Sequence, residues 1–91
     1  METGPTYVVG TSLVANEIDG ETVVLNLGTG QYHGLNPVAA SVWSWIQEPR
    51  SLDELTALVV SEFDVDEGRA RTDLEALLVD LVERNLAVTD P

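Results

Sequence analysis

At Asn36-Pro37 the chain changes its periodicity, and that boundary limits the folds open to it. Before it, apolar residues come in short strand-like runs at residues 7–9, 13–18, 22–27 and 31–35. After it, they recur at i, i+3, i+4 and i+7, the spacing of one helix face. Strands first and helices afterwards indicate an α+β chain. Asn36 suits an N-cap, and Pro37 suits the first helical position, where its missing N–H costs nothing.

Turn chemistry orders the first half. Asp19-Gly20 separates two strand-like runs, and both central residues of a type I′ hairpin turn need positive φ, which Asp and Gly accept. Gly28-Thr29-Gly30 supplies the next reversal. The expected result is a three-stranded antiparallel β-meander, residues 13–18, 22–27 and 31–35, with its outer strands as open edges. Residues 1–6, with Gly4 and Pro5, are expected to be a flexible N-terminus, and residues 7–89 a single domain.

Three helices follow, giving a winged helix-turn-helix-like order. Ala39, Val42, Trp43 and Ile46 share one face of the first, and Glu48-Pro49-Arg50 ends it. Ser51 and Glu54 form a capping box for the second, in which each side chain satisfies a free N–H of the other's turn. Its apolar face is Leu52, Leu55, Val59 and Phe63. Asp66 caps the third helix, which runs to about Arg84, with Asn85 as a left-handed stop. Leu86, Ala87 and Val88 should pack back onto the body. Trp43, Leu55, Leu74, Leu77, Leu78 and Leu81 are expected in one core.

Composition excludes several functions. The 91 residues suffice for one modest core. No apolar run is long enough to span a bilayer, and the first residues lack the pattern of a secretory signal. The formal net charge is -12, with no lysine and four arginines, Arg50, Arg69, Arg71 and Arg84. Nucleic-acid affinity rests on cations neutralising phosphates, so a DNA-binding winged helix and an anionic membrane are both disfavoured. Cysteine is absent and His33 is the sole histidine, which leaves no thiol nucleophile, serine–histidine triad or zinc ligand set. Gly28-Thr29-Gly30 lacks the lysine and following helix of a phosphate loop. The expectation is a cytoplasmic binding module, monomeric when free, with no enzymatic activity, cofactor or metal.

The third helix carries more apolar surface than one core contact needs. Ala70, Leu74, Leu77, Leu78 and Leu81 form a stripe at about 100° per residue. Val82 lies at its edge and Val79 further round, with Arg71 and Glu75 on the same flank. Such a flank is either a groove or is covered by the sheet or by Leu86 and Val88. Trp45 lies off the first helix's apolar face. It could anchor a protein–protein adaptor surface or pack on the N-terminal strand.

These elements, in this order, resemble the PqqD family of recognition elements for ribosomally made, post-translationally modified peptides. The resemblance rests on Val23 to Asn36 (Val-Val-Leu-Asn-Leu-Gly-Thr-Gly-Gln-Tyr-His-Gly-Leu-Asn), on Ala39-Ala40-Ser41-Val42-Trp43, on Ser51-Leu52-Asp53-Glu54-Leu55, and on residues 73–86. It covers roughly residues 8–88. It implies a winged-helix-like domain that binds a precursor's leader peptide by β-strand addition on the third strand, against the third helix. The site would comprise Gln31, Tyr32, His33, Gly34 and Leu35 with Arg71, Glu75, Leu78, Val79 and Val82.

Within the family the Leu-Gly-Thr-Gly-Gln-Tyr-His-Gly-Leu-Asn run is most similar to the stand-alone leader-binding subunit of lasso-peptide clusters. The partner so implied is a separate cysteine-protease-type leader peptidase. The alternative is a peptide chaperone of pyrroloquinoline quinone synthesis, although the Pro-Glu pair usual near that branch's third strand is missing.

Overall fold

The computed structural model describes residues 5–90 as six strands and three helices. The strands are β1 (Thr6–Val9), β2 (Leu13–Ile18), β3 (Glu21–Asn26), β4 (Gln31–Leu35), β5 (Arg50–Ser51) and β6 (Ala87–Asp90). The helices are α1 (Pro37–Trp45), α2 (Leu52–Phe63) and α3 (Glu67–Glu83). Of the N-terminal segment expected to be loose, residues 1–4 lie outside the described residues. Thr6 is the first residue of β1.

The expected meander is present as one antiparallel sheet in the order β2-β3-β4. Ile18 pairs with Glu21 around a two-residue turn in which Asp19 has φ 53° and Gly20 φ 82°. Both angles are those of the type I′ turn that the Asp-Gly pair favours. Between β3 and β4 the Asn26 side chain accepts hydrogen bonds from the Gly28 and Thr29 N–H groups, and Gly30 takes φ 74°.

A second sheet, in the order β5-β1-β6, was not legible. β1 pairs with β6 from Thr6↔Asp90 to Val9↔Ala87, joining the two ends of the domain. Gly10 lets the chain pass close to the end of α3. A Cβ there would stand 2.9 Å from the Asn85 carbonyl oxygen.

The helices form where their caps dictate. Asn36 Oδ1 accepts from the Ala39 N–H at 2.8 Å. Ser51 and Glu54 form the expected reciprocal capping box. Asp66 accepts from the Arg69 N–H, and Asn85 is left-handed at φ 62°. Val24 and Leu35 of the sheet, Val42 and Ile46 at α1, Leu55 and Val59 of α2, and Ala70, Leu74, Leu78 and Leu81 of α3 make one buried cluster with Leu86 and Ala87. The Trp43 indole N–H donates to the Leu86 carbonyl at 3.0 Å, tying α1 to the chain after α3.

Two members of the expected core need correction. Trp43 and Leu77 are half-buried and pack against the cluster from outside. For Trp43 the cause is its N–H, which must reach a carbonyl at the rim. For Leu77 it is position: Leu74, Leu78 and Leu81 already fill the centre of the stripe, and Leu77 falls to one side of it.

Candidate functional site

The open edges of the meander follow from the turn. In a two-residue hairpin the flanking residues, here Ile18 and Glu21, exchange both backbone hydrogen bonds, and bonded pairs then alternate with unbonded ones along the ladder. The Leu27 N–H to Ser12 carbonyl bond of 2.8 Å keeps the same alternation at the far end. Glu21, Val23 and Leu25 thus turn their backbone groups to β2, and Thr22, Val24 and Asn26 turn theirs to β4. Across from these, Gln31, His33 and Leu35 bond inward to β3. The N–H and C=O of Tyr32 and Gly34 face the outer edge of β4, where no strand pairs among the described residues.

The side chains alternate between faces as well. Tyr32 is opposite Leu25, which is opposite Val14, so all three share the outer face. Tyr32 is 70% exposed. His33 is opposite Val24, on the face that meets the helices, and is half-buried. Leu35 is buried in the core. Of the five expected strand residues, two offer backbone groups to a partner, and Leu35 is committed to the fold.

Three residues beyond β4, Val38 opens an apolar cleft of about 90 Å³. Phe63 and Val65 line it from the end of α2 and the following turn, and Asp73, Leu74 and Leu77 from α3. Asp73 is its one charged member. At 100° per residue, Asp80 and Arg84 continue the Leu77 flank one and two turns on, and they pair with each other at 3.2 Å.

Of the α3 residues expected to line a groove, Leu78 sits in the core stripe, and the other four lie on the flank away from the Val38 cleft. Leu78 is 1% exposed and belongs to the core. Arg71, Glu75, Val79 and Val82 lie on the opposite flank from Leu77. Arg71 pairs with Asp53 at the start of α2 and shares a separate cleft with Thr56, Ala57 and Val60. The hydrogen bond that Arg71 donates to the Asp53 carboxylate raises the Arg71 pKa above its already high ordinary value. Val79 is exposed and Val82 half-buried against the core.

The apolar surplus of α3 was legible in the sequence. Period alone does not say which side of a stripe faces a neighbour. Val38, Phe63, Val65 and Asp73, which the sequence alone does not group, are brought to one cleft by three different elements. Val38 gave a weak signal, being an apolar residue off the Ala39 stripe.

Among the described residues no group of His, Cys, Asp and Glu is arranged to hold a metal. None of their helices is long and apolar enough to cross a membrane.

The sequence profile of the family described as coenzyme PQQ synthesis protein D (PqqD) matches residues 21–87. The solved structure of TbiB1 in complex with the TbiA(beta) leader peptide superposes with a TM-score of 0.78 at 31% identity. That match covers 88% of this chain and 93% of the other. A lasso peptide synthetase B1 complexed with the leader peptide superposes with a TM-score of 0.79 at 24% identity, covering 90% of this chain and 96% of the other, a likeness of fold. No curated protein matches the chain significantly.

Proposed function

The chain belongs to the PqqD family, and from that premise we propose that it binds the leader peptide of a ribosomally made, post-translationally modified precursor, of the lasso-peptide type. The leader adds as a strand to the outer edge of β4 and is held for a separate leader peptidase. The observation that carries this is the pairing of an open strand edge, at Tyr32 and Gly34, with an apolar cleft that starts three residues after the strand ends, at Val38. Backbone bonds to Tyr32 and Gly34 supply a sequence-tolerant part of the affinity, and the cleft selects an apolar side chain. The similarity to TbiB1, whose structure was solved with a leader peptide, supports the same occupant.

In this reading the contact surface is the Gln31–Leu35 edge, Val38, Phe63 and the Asp73–Leu77 flank. Asp73, at the rim, favours a basic leader residue beside the apolar anchor. The protein contributes no bond-making chemistry; cleavage belongs to the peptidase. Isothermal titration with a synthetic leader peptide of the cognate precursor tests the proposal. Stoichiometric binding that is lost on truncating the leader supports it, and no heat and no shift in melting temperature would refute it.

The pyrroloquinoline quinone branch is the second reading, favoured by the family's description. Tight binding of a pyrroloquinoline quinone precursor peptide, with none of a lasso-peptide leader, would decide for it.

A further inference from the structure

The other edge of the meander is also open. β2 ends the strand order, and its alternation turns the N–H and C=O of Leu13, Ala15 and Glu17 outward. Natural edge strands are blunted by lysine, proline, a bulge or an inward-pointing charge, and of these β2 carries only Glu17 on its inner face. β2 reads Leu-Val-Ala-Asn-Glu-Ile and pairs with β3 without a break in register. Every residue of it after Leu13 is exposed, including the ones on the side facing the helices. The strand therefore overhangs the body.

Beneath the overhang lies a cleft of about 720 Å³ between β2 and α1. Leu13, Ala15 and Glu17 form one wall, and Trp43 and Trp45 stand on the other. Its charged members are Glu17 and Glu62, and none of the four arginines lines it. Arg50, the nearest in sequence, donates through Nε to the Trp45 carbonyl at 2.7 Å. The adjoining hairpin adds Asp19 and Glu21.

We propose that β2 is a second strand-accepting edge, and that its occupant is an extended segment of a partner protein in which basic side chains alternate with aliphatic ones. The backbone of the segment pairs with Ala15 and Glu17. Its basic side chains meet Glu17 and Glu62, and their aliphatic stems lie along Trp43 and Trp45. A second copy of this chain is the poorer occupant, because two surfaces of the same strong negative charge repel and neither brings a cation to Glu17. With a leader on β4, as proposed above, the two guests would occupy opposite edges of one sheet.

Trp43 and Trp45 are the two tryptophans of the chain, so intrinsic fluorescence reports this cleft. The probe is an acetylated, amidated peptide of alternating lysine and valine, titrated into the full chain. The expected result is a saturable blue shift. Ala15→Pro removes one outward N–H, and Glu17→Lys reverses the charge. Each should weaken binding at least about tenfold, the equivalent of one strand hydrogen bond with its partner left unsatisfied.

Gly34→Pro, on the β4 edge, should leave the titration unchanged, so failure here is separable from failure of leader binding at β4. Binding without a fluorescence change, or binding insensitive to both β2 variants, would reduce the attraction to net charge and overturn the proposal. So would a dimer of the chain alone, seen by sedimentation, that Ala15→Pro dissolves.

Discussion

His33 of β4 stands directly opposite Val24 of β3, and the ladder's alternation makes theirs a pair that exchanges backbone hydrogen bonds. The His33 N–H is thus spent inside the sheet. Its neighbours Tyr32 and Gly34 carry the groups that a further strand can use. Proline at these adjacent positions should therefore do different things. Gly34→Pro deletes an outward N–H at an edge that tolerates proline, and weakens leader binding by about 1–3 kcal/mol with the fold intact. His33→Pro deletes a ladder bond and lowers stability. Calorimetric titration and thermal melts of the two variants separate these outcomes.

Val38 and Val79 provide a matched pair of charge insertions. Val38→Asp places a carboxylate in the first turn of α1, which holds no acidic residue, and there the helix N-terminus favours it by about 0.3–1 kcal/mol. The same carboxylate lies in the apolar cleft and should weaken leader binding by about 1–3 kcal/mol, the cost of burying an unpaired charge. Val79→Asp adds the same charge on the other flank of α3 and should leave affinity unchanged. A loss confined to Val79→Asp would move the groove to the Arg71–Val82 side.

Leu77 and Leu81 should differ in stability. Leu81 is fully buried, and Leu81→Ala should cost about 2–5 kcal/mol. Leu77 is half-buried at the rim of the cleft, so Leu77→Ala should cost roughly 1–2 kcal/mol, below the range for a buried leucine. Its larger effect should be on leader affinity. Urea denaturation of both variants measures the first difference, and titration the second.

The acidic surface should act on the rate of encounter. A chain with formal charge -12 attracts a leader with exposed basic residues at long range, and salt screens that attraction. Association rates from stopped flow should fall as salt rises, while dissociation, set by the apolar cleft and the backbone bonds, should change little.

Local chemistry made the meander and the helix starts legible. Asp19-Gly20, Asn36-Pro37, the Ser51/Glu54 box and Asp66 each specify their own turn or cap without help from distant residues. The β5-β1-β6 sheet was not legible for the opposite reason. Arg50 and Ser51 make a strand too short to show a period, and β6 pairs with a strand at the other end of the chain. The site divided along the same line. The β4 edge followed from strand order, whereas the Val38–Phe63–Leu77 cleft depends on how three helices meet. The stripe on α3 gave the axis of burial; the spacing favoured its Arg71–Val82 flank, whereas the apolar cleft borders the Asp73–Leu77 flank.

Amide hydrogen exchange at residues 31–35, followed by NMR with and without the leader peptide, tests strand addition at β4 most directly. The account predicts that Tyr32 and Gly34 exchange quickly in the free protein and become protected when the leader binds. His33, already bonded to β3, should be protected in both states. Leader binding that leaves the Tyr32 and Gly34 amides exchanging as fast as before would contradict it.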